Sequence, residues 1–128
     1  MKARNILLID DNDVDNYITR QMLLKNEIAE NIVVKSSAID ALKFLHAIRN
    51  EPEMLPDYIF LDIRMPEMDG FDFLDQYSLF PDTVKEKCVI FMLTSSGDQK
   101  DVDRAAQYEY VKRFIRKPLN GTVLKEIW

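Results

Sequence analysis

The chain has 128 residues, of which 47% are hydrophobic and 30% charged, and its net charge is −5. That length is enough to bury a core without disulfides or metal staples. The acidity excludes a general nucleic-acid binder, which would carry a basic face.

The chain opens with MKARNILLIDD, whose apolar part is too short, and too soon followed by acid, for a signal peptide. Residues 5–9 (NILLI) predict a first strand. Behind it LLIDDNDVDN places Asp10, Asp11, Asp13 and Asp15 close together. Asp11, Asp13 and Asp15 fit the first ligand positions of a calcium loop, but Asn16 and Met22 stand where that loop needs glycine and glutamate. In the following stretch, 14–28, the residues Val14, Ile18, Met22 and Leu24 mark one helical face. A weaker apolar run, NIVVKS (31–36), predicts the second strand. Residues 37–50 predict a helix with Ala38, Ala41, Leu42, Leu45 and Ile48 on its apolar face.

The third strand, DYIFL (57–61), runs into Asp62 and then IRMPEMDG. The fourth, VIFML (89–93), follows Cys88 and ends in Thr94 and Ser95. A lone cysteine cannot close an internal disulfide, which fits a reducing compartment, and its apolar setting marks an inert core thiol. RFIR (113–116) is a marginal fifth strand before Lys117 and Pro118, and Gly121 opens a last short helix. No apolar stretch approaches the roughly 18 residues of a membrane span. The expectation is one cytoplasmic domain over residues 1–128.

Strand and helix alternate five times, and the first and fourth strands are almost continuously apolar. This argues for a doubly wound α/β fold whose parallel sheet is covered on both faces. Gly70, Gly97, Pro66 and Pro118 lie just past strand ends, in the loops that form the ligand crevice of such sheets. If the first, third, fourth and fifth strands are neighbours, Asp10, Asp11, Asp62, Thr94 and Lys117 meet on one edge. Three carboxylates carry about −3, which a magnesium ion and the Lys117 ammonium would offset. Oxygen donors without histidine or cysteine suit Mg²⁺, and a sparse magnesium site usually takes phosphate as a further ligand. A carboxylate can attack phosphorus to give an acyl phosphate. Asp62, alone on its loop, is the natural nucleophile, with Thr94 and Lys117 as donors to the phosphoryl oxygens.

LLIDDND, YIFLDIRMPEMDG, FMLTSS and FIRKPL together resemble the receiver domain of two-component response regulators, over essentially the whole chain. The resemblance implies a flavodoxin-like five-stranded sheet in the order 2-1-3-4-5. It implies that Asp62 is the phospho-acceptor and that Asp10 and Asp11 bind Mg²⁺ with the backbone carbonyl of Arg64. It further implies that Thr94 and Lys117 contact the phosphoryl group and that Phe114 is the aromatic switch residue. Arg64 and Ser96 would border the path of an attacking water, and the Lys117–Pro118 bond is suggested to be cis. The implied partners are a sensor histidine kinase or histidine phosphotransfer protein and an unknown downstream protein. The expected assembly is a monomer or a phosphorylation-dependent dimer, with no direct contact to nucleic acid or membrane. Such a domain is expected to catalyse only its own phosphorylation and dephosphorylation.

The remaining features have simpler readings. Asp13 and Asp15 start the first helix, where acids favour the positive end of its dipole. Lys112, Arg113 and Arg116 guard an edge strand, His46 is a surface or packing residue, and Met54, Met65 and Met68 pack loops. The competing function is a magnesium-dependent phosphatase of the haloacid-dehalogenase type, with its acidic motif on Asp11 and Asp13. Asp15 stands where that motif needs threonine or valine.

Overall fold

Alternation along the apolar runs sorts their side chains to two faces of one sheet. The structure, a computed structural model, describes residues 3–95, 97–117 and 119–127. Its strands are β1 (Ala3–Ile9), β2 (Ala29–Lys35), β3 (Tyr58–Asp62), β4 (Val89–Thr94) and β5 (Val111–Arg116). All pairings are parallel, in the order β2-β1-β3-β4-β5. Leu7, Ile9, Ile59, Leu61, Ile90 and Met92 enter one core. Ile6, Leu8, Phe60, Phe91, Leu93 and Ile115 enter the other. A sheet buried on both sides needs apolar residues at successive positions, hence the unbroken runs.

Among the described residues five helices connect the strands, α1 (Asp13–Lys25), α2 (Ala38–Ala47), α3 (Gly70–Tyr77), α4 (Asp82–Lys87) and α5 (Gln99–Ala105), and α6 (Gly121–Ile127) follows β5. Ala41 and Leu45 of α2, Phe71 and Leu74 of α3, and Ala105 of α5 pack on the first face. Leu23 of α1 and Leu124 of α6 pack on the second. The flavodoxin-like fold is as expected, with one addition. The crossover between β3 and β4 carries two helices, because Pro81 starts α4, which buries Val84. Six residues are too few to register as a helical period.

The apolar face read on the first helix is not the buried one. Val14 is 65% exposed and Ile18 41%, whereas Asn16, Thr19 and Leu23 are buried. The N-terminal half of α1 lies over the polar strand ends, so the residues it buries there are hydrogen-bonding ones. The helix also stops at Lys25 rather than residue 28, since Glu27 takes a left-handed φ of 54° before β2 begins.

β5 is an edge strand, and Lys112 and Arg113 are exposed along it. Charge there discourages pairing with another sheet, and Arg113 also meets Glu126 at 3.0 Å. Cys88 and Met65 are buried, Met68 packs on the core, Met54 is half exposed and His46 lies on the surface. Among the described residues, no helix is long and apolar enough to cross a membrane.

Candidate functional site

The C-terminal ends of the strands place acids and a lysine on one edge of the sheet. Asp10 leaves β1 with its backbone N–H donating to Lys35 O (3.2 Å). Its Oδ1 accepts from the backbone of Asn12 (3.0 Å), and its Oδ2 accepts from Lys117 Nζ (2.6 Å). Asn12 then caps α1, its side chain accepting from Asp15 N at 3.0 Å. Asn16, buried one turn into α1, donates to Asp10 O at 2.8 Å. The bend after β1 is thus held from both sides.

Asp62 ends β3 in register with Leu93, and the next residue, Ile63, donates to Leu93 O at 3.3 Å. The loop returns so that Gly70 N donates to Ile63 O at 2.8 Å. A Cβ on Gly70 would lie 2.6 Å from Asp62 O, so only glycine lets α3 approach the acidic strand end this closely. On the way, Met68 N donates to Pro66 O (2.8 Å) around Glu67, which sits at φ 68°. Asp69 and Asp72 close a reciprocal capping box at the start of α3.

Asp10, Asp11 and Asp62 each offer an oxygen within 4.8 Å of the others. Asp10 and Asp62 are buried and Asp11 is exposed, which leaves the cluster open to solvent on one side. Lys117 reaches into it from the end of β5, where its backbone N–H donates to Thr94 O at 2.7 Å. Its Nζ lies 2.6 Å from Asp10, 2.8 Å from Asp15 and 3.2 Å from Asp62. Burial alone would lower the lysine pKa. Hydrogen bonds to Asp10 and Asp15, with the charge of Asp62, outweigh it and hold the ammonium above its usual range. Asp62 goes the other way: burial first, then repulsion from Asp10, raise its carboxyl from 3.8 to about 6, although Lys117 opposes both.

One ammonium among Asp10, Asp11, Asp15 and Asp62 leaves an excess of negative charge, whose repulsion adds to burial in raising the Asp62 carboxyl. The clustered donors are all carboxylate oxygens, which fits a hard divalent cation such as Mg²⁺.

Of the residues expected at the site, the structure brings Asp10, Asp11, Asp62 and Lys117 together. Thr94 is buried at the end of β4, paired with Arg116 on β5. Phe114 is half-buried, paired with Met92 and packed against the first core. Ser96 and the Lys117–Pro118 bond lie outside the described residues. Asp15, expected only to start the helix, is also a partner of Lys117. Its signal was available: side chains in the first turn of a helix tilt back towards the N-terminus, here over the end of β1. The Arg64 side chain is paired with Asp101 on α5, at 2.6 Å. Nothing in the sequence marked Asp101 as its partner.

The family described as the response regulator receiver domain matches residues 6–128. Response regulator Rcp1 of Synechocystis is 28% identical over 119 residues, covering 90% of this chain and 77% of that protein. A protein-glutamate methylesterase/protein-glutamine glutaminase of Burkholderia thailandensis is 34% identical over 114 residues. That match covers 88% of this chain but only 29% of the larger protein. In three dimensions, a two-component response regulator from Cytophaga hutchinsonii superimposes with a TM-score of 0.92 at 27% identity. The superposition covers 99% of this chain and 95% of that one. The chain belongs to the response regulator receiver family. The phosphatase alternative gains no support, since the clustered acids are Asp10, Asp11 and Asp62 rather than Asp11 with Asp13.

Proposed function

We propose that the protein is a phosphorylation-dependent switch. Asp62 takes a phosphoryl group from a phosphohistidine on a sensor histidine kinase or a histidine phosphotransfer protein. The observation that carries this reading is the placing of Asp62: buried, raised in pKa, beside two more carboxylates and within 3.2 Å of the Lys117 ammonium. A carboxylate so placed gains from any change that spreads its charge onto a bound electrophile.

In the transfer, an Asp62 carboxylate oxygen bonds to phosphorus as the phosphorus–nitrogen bond of the donor histidine breaks. Asp10, Asp11, Asp62 and the backbone carbonyl of Arg64 would hold Mg²⁺, which supplies charge neutralisation for the transferring group when bound. Lys117, already fixed by Asp10 and Asp15, donates to one phosphoryl oxygen, and the Thr94 hydroxyl donates to another. Movement of Thr94 towards the phosphoryl group leaves space that Phe114 fills, which reshapes the surface around α5, β5 and α6. Phosphorylation biases this change only through contacts that differ between the two states. The output is binding to a downstream protein, and the only reactions catalysed are phosphorylation of Asp62 and its reversal.

Incubation with acetyl phosphate and Mg²⁺ tests the assignment. Wild type should take one phosphoryl group and Asp62→Asn none. Asp11→Ala should lose labelling through loss of the metal. Wild-type labelling of the Asp62→Asn variant would refute it.

A further inference from the structure

One cation beside the site is committed elsewhere. Arg64, two residues past Asp62, places Nη2 2.6 Å from Asp101 Oδ2. The Arg64 side chain is 62% exposed and that of Asp101 only 11%. Asp101 belongs to the first turn of α5, behind the Asp98 cap. A carboxylate that deeply covered needs a charged or hydrogen-bonding partner to be tolerated. The guanidinium is such a partner, and it ties the start of α5 to the loop after β3.

A phosphoryl group on Asp62 would add a charge of about −1.5 to −2 and three acceptor oxygens a short distance along the chain from the same guanidinium. Planar guanidinium donors match phosphate oxygens two at a time, at least as well as they match a carboxylate. We propose that Asp101 is a positioning residue for the phosphoryl reaction. In the unphosphorylated protein it holds the Arg64 guanidinium off the Asp62 pocket, and the phosphoryl group competes with it for that guanidinium. The inference rests on Asp62 being the acceptor.

Two consequences separate this arrangement from an ordinary surface ion pair. Hydrolysis of the acyl phosphate joins a water oxygen to phosphorus, breaks the bond from phosphorus to Asp62, and releases inorganic phosphate. A guanidinium drawn onto the phosphoryl oxygens alters that step, so Asp101 affects the lifetime only by way of Arg64. Release of Arg64 also leaves Asp101 covered and unpaired, which loosens the first turn of α5. This second link between Asp62 and α5 does not pass through Thr94 and Phe114.

The experiment follows decay of the acyl phosphate in the full chain, labelled with acetyl phosphate and Mg²⁺. It compares wild type, Asp101→Asn, Arg64→Ala and the double variant. Asp101→Asn should change the half-life at least about threefold when Arg64 is present. In the Arg64→Ala background the change should fall below about 1.5-fold, and Asp101→Glu should restore the wild-type value. An equal change in both backgrounds, or no change in either, overturns the proposal. Hydrogen exchange of residues 99–105 gives a readout that does not need an Asp101 variant to fold. Exchange should quicken when wild type is phosphorylated, should already be fast in Arg64→Ala, and should rise no further there on phosphorylation. A rise in Arg64→Ala equal to that of wild type overturns the proposal. A wild type that takes no label overturns the acceptor assignment and this inference with it. A labelled wild type without coupling overturns this inference alone.

Discussion

Removing the charge of Asp62 should stabilise the metal-free protein. Its carboxyl is raised from 3.8 to about 6, first by burial and then by Asp10. Between about pH 4 and 6 the native state therefore holds a proton that the unfolded chain has lost. Stability falls as pH rises through that window, and the deficit is complete above it. At 1.36 kcal/mol per pKa unit, the rise corresponds to about 3 kcal/mol. Water reaching the open side of the cluster relieves part of it, leaving about 1–2 kcal/mol. Asp62→Asn keeps the shape and removes the ionisation, and Lys117 retains Asp10 at 2.6 Å and Asp15 at 2.8 Å. Urea unfolding in a chelator at about pH 7.5 should place the variant's midpoint about 0.5–1 M above wild type. Near pH 4 the gap should close. Added Mg²⁺ should narrow it at pH 7.5, because the wild type has one more carboxylate to offer the ion. A wild type at least as stable as the variant in chelator, or a gap of equal size at both pH values, would refute the reasoning.

Gly70→Ala should cost about 1–3 kcal/mol and slow labelling of Asp62, because the new methyl group meets Asp62 O at 2.6 Å; unchanged thermal stability and labelling rate would remove the packing argument. Cys88 is buried, mainly by that burial its thiol is pushed up to about 12, and a disulfide reagent at neutral pH should modify it only as fast as the protein opens. Among the described residues the buried Tyr77 Oη faces at best the weak Cys88 thiol, so Tyr77→Phe should leave the urea midpoint unchanged or raise it, by no more than about 1 kcal/mol in stability. NMR of the protein with beryllofluoride on Asp62 should show shifts at Phe114 and across residues 97–113; shifts confined to the Asp62 pocket would exclude the relay from Thr94 to Phe114.

The sheet was legible because a strand buried on both faces must be apolar at successive residues, and NILLI and VIFML are. The site was legible for a related reason: a parallel sheet delivers whatever follows each strand to one edge, so Asp10, Asp62, Thr94 and Lys117 had to meet. What the sequence does not display lies where helices meet that edge. The apolar pattern of α1 pointed to Val14 and Ile18, yet its buried residues include Asn16, which is needed to hold Asp10. Burial there follows hydrogen-bond demand rather than hydropathy, and no periodicity reports it. The role of Asp101 is hidden because its partner, Arg64, is remote in sequence. α4 leaves no mark in the sequence because its six residues behind a proline are too few to show a period.

The reach of Lys117 bears on how the protein comes into being. Its contact with Asp10 joins residues 107 positions apart, from the end of β1 to the end of β5. A contact of such high order forms only after the intervening strands have been laid side by side, and closing so long a loop early is entropically costly. During synthesis, which proceeds from the N-terminus, the acids of β1 and β3 leave the ribosome well before the ammonium that balances them. Until residue 117 emerges, Asp10 and Asp62 lack this counter-charge, so the nascent sheet carries its strongest internal repulsion while it is least complete. Competence to receive a phosphoryl group is then gained only once β5 has joined the sheet and Lys117 has reached Asp10 and Asp62.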